Sequence, residues 1–188
     1  MKLHHQQGFT LLELVVVLII ISGLLAFAFD RLLKLEVQAE RAAMEQVIGN
    51  LKSALALTIG KHIATDDIPG LRKYLDTNPM DLLADTPPTY LGSYVGQPPK
   101  LANGANWYYD QSSQSLVYVT GNPAYFQSEG TEKSVTRLKI LPVYDDKNGN
   151  GRFDAGDSLA GLKLAATAPY HWQNEPIKPA EYTTTAKR

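Results

Sequence analysis

Gly8-Phe9-Thr10-Leu11-Leu12-Glu13, followed by an almost unbroken apolar run from Leu14 to Phe29, is the stretch that decides the architecture of this chain. A lone carboxylate at bilayer depth costs about 2.5–3.5 kcal/mol, so such groups are usually paired and usually functional. The run from Phe9 to Phe29 offers about twenty residues, enough to cross a hydrocarbon core of about 30 Å. An ordinary secretory signal has an apolar region of only about 7–15 residues and ends at a small-residue cleavage site, which this longer run does not match. Glu13 therefore needs a partner. Cleavage after Gly8 would create one, because the new α-amine of Phe9, with a reference pKa of roughly 8, is cationic at neutral pH. The plainer alternative is a carboxylate near the headgroups that snorkels or is protonated.

The same residues carry a resemblance. A short leader with Lys2, then Gly8 before Phe9-Thr10-Leu11-Leu12-Glu13-Leu14-Val15-Val16-Val17-Leu18, resembles the class III leader and N-methylation site of type IV pilins and type II secretion pseudopilins. The likeness is specific over the N-terminal segment and looser beyond it. It implies cleavage after Gly8 by a prepilin peptidase, methylation of Phe9, and retention of the apolar run in the mature protein. It also implies that Glu13 pairs with the Phe9 amine of a neighbouring subunit. Orientation rests on the resemblance as well: Lys2 is the only strong cation before the span, whereas Arg31 and Lys34 follow it, so counting cations does not place the N-terminus in the cytoplasm. Major pilins usually carry a proline at the position that falls here on Asp30. Its absence removes an expected kink site and leans toward a minor pilin or pseudopilin.

With 188 residues the chain accommodates one anchor and one modest domain. A formal net charge of −1 without a basic block argues against nucleic acid as a partner. The lack of cysteine removes disulfides, thiol catalysis and thiolate metal sites together.

No proline occurs between Thr10 and Ile59, and beyond the apolar run the hydrophobic residues fall into a stripe: Leu33, Val37, Met44, Ile48, Leu51, Leu55 and Ile59. One helix of about fifty residues, roughly 75 Å, is predicted, with Arg31, Lys34, Glu40, Arg41, Glu45 and Lys52 facing solvent and with Gly60 and Thr65-Asp66-Asp67 ending it. A Pro- and Gly-rich connection follows from Pro69 to Gly104. It includes Asn78-Pro79-Met80-Asp81-Leu82-Leu83 and Tyr90-Leu91-Gly92, which weakly resemble the same region of some minor pilin-like proteins. Trp107-Tyr108-Tyr109 and Leu116-Val117-Tyr118-Val119 read as strands joined by the polar turn from Asp110 to Ser115, with further strands at Val135 to Tyr144 and Leu159 to Ala166. The expected fold is α+β, a long N-terminal helix packed on an antiparallel sheet, as the resemblance also implies. The expected organisation is a cleaved leader (1–8), a transmembrane assembly helix (9–29), a periplasmic pilin-like domain (30–172) and a loosely ordered tail (173–188).

Outside the N-terminus the sharpest signal is Asp146-Lys147-Asn148-Gly149-Asn150-Gly151-Arg152-Phe153-Asp154-Ala155-Gly156-Asp157. Asp146, Asn148, Asn150, Asp154 and Asp157 place side-chain oxygens where an EF-hand loop has them, with Arg152 at the position that supplies a backbone carbonyl. Such hard oxygen ligands suit Ca²⁺ in a structural role. Two departures stand against it: Asp157 is shorter than the usual glutamate, and the flanks read as strands. The alternative is a solvated hairpin turn built on Asn148-Gly149 and Asn150-Gly151.

Trp107, Tyr108, Tyr109 and Tyr118 read as core aromatics rather than a ligand platform. His62 and His171 stand alone and read as structural. No nucleophile elbow, phosphate loop, zinc motif or paired-carboxylate constellation occurs, so no enzyme is expected. The expected function is a minor pilin or pseudopilin, a structural subunit of a type IV pilus or type II secretion pseudopilus. Its expected partners are other pilin-like subunits, the prepilin peptidase, the inner membrane and the assembly platform. The alternative is a membrane-anchored surface module that binds DNA, glycan or a secreted protein through its globular domain.

Overall fold

The computed structural model of the chain describes residues 9–98 and 104–177. The backbone divides into two compact units, Met1–Ala39 and Glu40–Arg188. Helix α1 spans Leu11–Ala64, 54 residues, and contributes to both. It runs through Asp30 without a break, as a stretch lacking proline allows. It also runs through Gly60, whose Cα faces open space, and ends at Ala64, where Asp66 turns into the left-handed region at φ 53°. Of the two predicted stop signals, Gly60 is passed and the Thr65-Asp66-Asp67 cluster ends the helix. There His62 Nδ1–H donates to the carbonyl and carboxylate of Asp67, at 2.9 and 3.0 Å. His62 is a helix-end brace, as a solitary histidine without ligand spacing suggests.

In the second unit α1 turns Met44, Ile48, Leu51 and Leu55 into a core shared with Leu71, Met80, Trp107, Leu116, Tyr118, Phe126, Leu138, Ile140, Leu162 and Leu164. The predicted stripe is therefore buried at Val37, Met44, Ile48, Leu51 and Leu55 and half-buried at Ile59, while Leu33 stays 55% exposed. Burying each such side chain stabilises by about 1.5–3 kcal/mol, which suffices for a domain without disulfides.

The connection after α1 forms two short 3₁₀ helices, Pro69–Tyr74 and Pro79–Leu82. The weak Asn78-Pro79-Met80-Asp81 motif has a physical basis. Asn78 Oδ1 accepts the Met80 N–H, and its amide donates to Asp81 and to the hydroxyl of Tyr90. Among the described residues seven strands follow: β1 (Tyr90–Tyr94), β2 (Asn106–Asp110), β3 (Ser115–Val119), β4 (Phe126–Ser128), β5 (Val135–Asp145), β6 (Ser158–Ala166) and β7 (Tyr170–Trp172). The main sheet has the order β1-β2-β3-β5-β6, and β4 pairs with β7 in a second, two-stranded sheet. All pairings in the main sheet are antiparallel except β1 with β2, which is parallel, so the expected antiparallel sheet carries one parallel edge.

Side chains alternate faces along these strands. Trp107, Leu116, Tyr118, Leu138 and Ile140 meet the helix, while Tyr108, Val117 and Val135 form a smaller cluster on the opposite face with Leu91, Tyr94 and Val119. Trp107, Tyr108, Tyr109 and Tyr118 are thus all core residues, between 1% and 7% exposed. The hairpin between β2 and β3 is organised by Asp110, whose carboxylate accepts from the Gly96 N–H, the N–H and hydroxyl of Ser112, and the hydroxyl of Ser113. Burial pushes this carboxyl up, but the hydrogen bonds outweigh it and hold the pKa at about 2. Beyond β7, the N–H groups of Gln173 and Ile177 donate to Tyr125 and Ala124. The remainder of the expected tail, 178–188, lies outside the described residues.

Candidate functional site

The N-terminal segment begins, among the described residues, at Phe9, which is 80% exposed; Gly8, the expected cleavage residue, lies outside them. Thr10 starts the helix. Its hydroxyl oxygen accepts the Glu13 N–H at 3.2 Å and its carbonyl accepts the Leu14 N–H at 3.1 Å. Thr10 and Glu13 are the residue pair of a capping box, and an acid in the first turn also meets the positive end of the helix dipole. Helix-start chemistry thus explains where Glu13 sits but not what neutralises it. Its side chain is exposed, and among the described residues no cation pairs with it. Around it Leu11, Leu12, Leu14, Leu18 and Ile19 are between 54% and 81% exposed. Exposed apolar surface on this scale marks a membrane or protein contact. Among the described residues, α1 is the one helix long and apolar enough to cross a membrane by length and composition.

A second carboxylate on α1 is surrounded quite differently. Glu40, expected to face solvent, reaches instead across to the end of β3. Its Oε1 accepts from the hydroxyls of Tyr118 (2.6 Å) and Thr120 (2.7 Å) and from the Gly121 N–H (2.9 Å), and its Oε2 accepts from the Asn122 amide (2.6 Å). Four donors on one carboxylate lock helix to sheet, and burial with Glu40 alongside pushes the Tyr118 phenol far above its ordinary pKa. The helical pattern hid this role because the partners lie 78 to 82 residues away.

The acidic loop connects β5 to β6, so its flanks are strands, as predicted. Asp146 accepts the N–H groups of Gly149 and Gly151, both at 2.7 Å. Positive φ values of 69° and 71° at those glycines make the wrap affordable only without a Cβ. Asn148 Oδ1 accepts from the Asn150 N–H, and Asn150 Oδ1 from the Arg152 N–H. The amides of both asparagines donate to Asp154 Oδ2, and the Gly156 N–H donates to Asp154 Oδ1. Asp157, 5% exposed, accepts from the N–H groups of Lys147 and Asp154. Hydrogen bonds from Gly156, then Asn148 and Asn150, hold the Asp154 carboxyl below its ordinary pKa. The predicted residues are therefore gathered in one loop, but their carboxylates point at loop N–H groups. Among the described residues no cluster of three or more His, Cys, Asp or Glu has metal-holding geometry. Arg72 ties the loop to the domain by donating to the Asp157 carbonyl and lying 4.5 Å from the Phe153 ring centroid.

The family described as the prokaryotic N-terminal methylation motif matches residues 3–29. The chain thus carries, in its leader and the first turns of α1, the signal of a type IV pilin-like precursor processed by a prepilin peptidase; the long helix and α+β domain agree with that class. Proteins with this motif have a structural rather than an enzymatic role. None of the curated proteins and none of the solved structures matches the chain.

Proposed function

We propose that this protein is a minor pilin or pseudopilin: held in the inner membrane by a single span, cut after Gly8, methylated on Phe9, and packed through α1 into a pilus or pseudopilus with its C-terminal domain in the periplasm. The observation that carries this reading is Glu13, a carboxylate within the methylation motif that has no cation partner among the described residues and stands on an apolar helix surface. A neighbour's Phe9 amine would neutralise it as the helices leave the lipid, and that charge match would set their stagger. In this reading residues 1–8 are the leader, 9–29 the span, 30–172 the periplasmic domain and 173–188 a tail. The burial of Trp107, Tyr108, Tyr109 and Tyr118 counts against a surface module that binds ligands on sheet aromatics.

The loop of Asp146, Asn148, Asn150, Arg152, Asp154 and Asp157 is proposed as a structural Ca²⁺ site. What supports it is oxygen spacing and the convergence of the five oxygen-bearing side chains in one hairpin connection. Binding would require those carboxylates to exchange loop N–H donors for the cation.

Processing is tested by intact-mass analysis of protein extracted from membranes of a host with the peptidase. The expected species begins at methylated Phe9, and Gly8→Ala should slow its formation because the junction needs close backbone approach. Recovery of full-length chain alone would refute the processing step.

A further inference from the structure

A groove of about 620 Å³ lies between residues 40–50 of α1 and the connection at 83–89, over Trp107 and Tyr118. Met44, Val47 and Pro87 give it apolar walls. Two carboxylates line it, Glu40 and Asp85, and no Lys, Arg or His does. The four donors on Glu40 include no cation. Asp85 is exposed and makes no hydrogen bond or ion pair among the described residues.

The complementary surface is on the same chain. Phe27, Arg31 and Leu35 follow one another at i, i+4 spacing, so they share one helix face over about 12 Å. All three are exposed, and the Arg31 guanidinium carbon lies 5.4 Å from the Phe27 ring centroid, as a common face requires. This is a cation flanked by two large apolar groups. Arg41, another cation of the helix, is already paired with Glu45.

We propose that the groove receives the Phe27–Arg31–Leu35 stripe of a second copy of this chain, Arg31 meeting Asp85 at the mouth and the apolar groups covering Ala43, Val47 and Pro87. Charge complementarity selects the occupant, since an acidic groove without a base meets a stripe whose centre is a base. The two patches differ, so the contact is heterologous, and heterologous contacts that do not close into a ring propagate as helical filaments. The proposal rests on the filament reading above and names a contact within it.

The chain has no cysteine, so introduced thiols are the only ones. Full-length Leu35→Cys and Ala84→Cys copies carrying different tags are expressed together with the assembly machinery and oxidised in the membrane. A mixed disulfide dimer is expected, and Lys139→Cys, on the sheet face away from α1, should not replace Ala84→Cys. Arg31→Glu should cut the yield about tenfold, the equivalent of one ion pair worth about 1.4 kcal/mol, and Asp85→Arg in the other copy should restore it. A Val16→Cys pair reports apolar helix packing alone. Val16 dimers without the Leu35–Ala84 dimer overturn the groove contact and leave the filament reading standing, whereas loss of both overturns the two together. Capture of Leu35→Cys on a different pilin-like chain, in place of the second copy, also overturns the proposal.

Discussion

Glu13 and Glu40 stand on one helix, and their surroundings are opposite. Glu13 has the N-terminal dipole of α1 behind it, apolar side chains around it and, among the described residues, no cation. Glu40 is saturated by four donors from the end of β3 and the turn that follows it. The helix residues near them differ in the same way: Leu11 to Phe29 and Arg31 to Leu35 are open, whereas Met44, Ile48, Leu51 and Leu55 are buried within the chain. An amphipathic stretch satisfies its apolar face inside one molecule, while an all-round apolar stretch finds that satisfaction only in lipid or in another subunit. The carboxylates follow the same division of labour. Glu40 serves the fold, and in the proposed assembly Glu13 is matched by a neighbour's amine.

The comparison is broken most sharply by Glu40→Ala, which strands the Tyr118 and Thr120 hydroxyls, the Gly121 N–H and the Asn122 amide. A loss of about 3 kcal/mol is expected, or roughly 10 °C in the melting temperature of a soluble fragment beginning at Arg31. Glu13→Gln in the full chain should leave the domain's melting unchanged. Equal melting of Glu40→Ala and wild type would remove Glu40 from the fold.

The loop carboxylates are an intermediate case, saturated by loop donors, with Asp146 and Asp154 half-buried and Asp157 buried. If calcium replaces those donors it adds RT ln(1 + [L]/Kd), about 2.7 kcal/mol at a hundredfold excess over Kd. Thermal melting in calcium and in chelator measures this, and Asp146→Ala with Asp157→Ala should abolish the difference while the sheet stays folded. Indifference of the wild type from micromolar to millimolar calcium would reduce the loop to a turn.

Asp110 sharpens the comparison from the saturated side. Its folded pKa of about 2 lies below the unfolded 3.8, so its contribution is complete above about pH 4 and disappears as pH falls through 2. About 2 kcal/mol is at stake. Asp110→Asn should lower stability at pH 7 and remove this part of the acid loss, which urea unfolding between pH 2 and 7 measures.

What the sequence made legible was local. The leader motif is contiguous, and the stripe of Met44, Ile48, Leu51 and Leu55 obeys a helical period that burial then follows. The hairpin across Asp110 to Ser115 was readable because a polar turn separates two alternating strands. Strand β1 was not, since Tyr90–Tyr94 sits in a Pro- and Gly-rich stretch, contains Gly92 at φ 103°, and pairs in parallel across a long connection. The role of Glu40 was equally hidden, because a charged residue on a helix announces solvent unless its distant partners are known. The loop oxygens were legible as a group, but their turning onto N–H donors depends on backbone conformation at Gly149 and Gly151 that spacing alone does not specify.

The most direct test compares wild type with Glu13→Gln in a host that assembles filaments, measuring the share of each in the sheared-filament and membrane fractions, normalised to total protein. Losing a pairing comparable to the 2.5–3.5 kcal/mol burial cost of an isolated acid corresponds to about a hundredfold drop in incorporation. Glu13→Gln should therefore accumulate in the membrane, processed and folded, and be nearly missing from filaments. Incorporation equal to wild type would contradict the account, because Glu13 would then pair with nothing in the assembly.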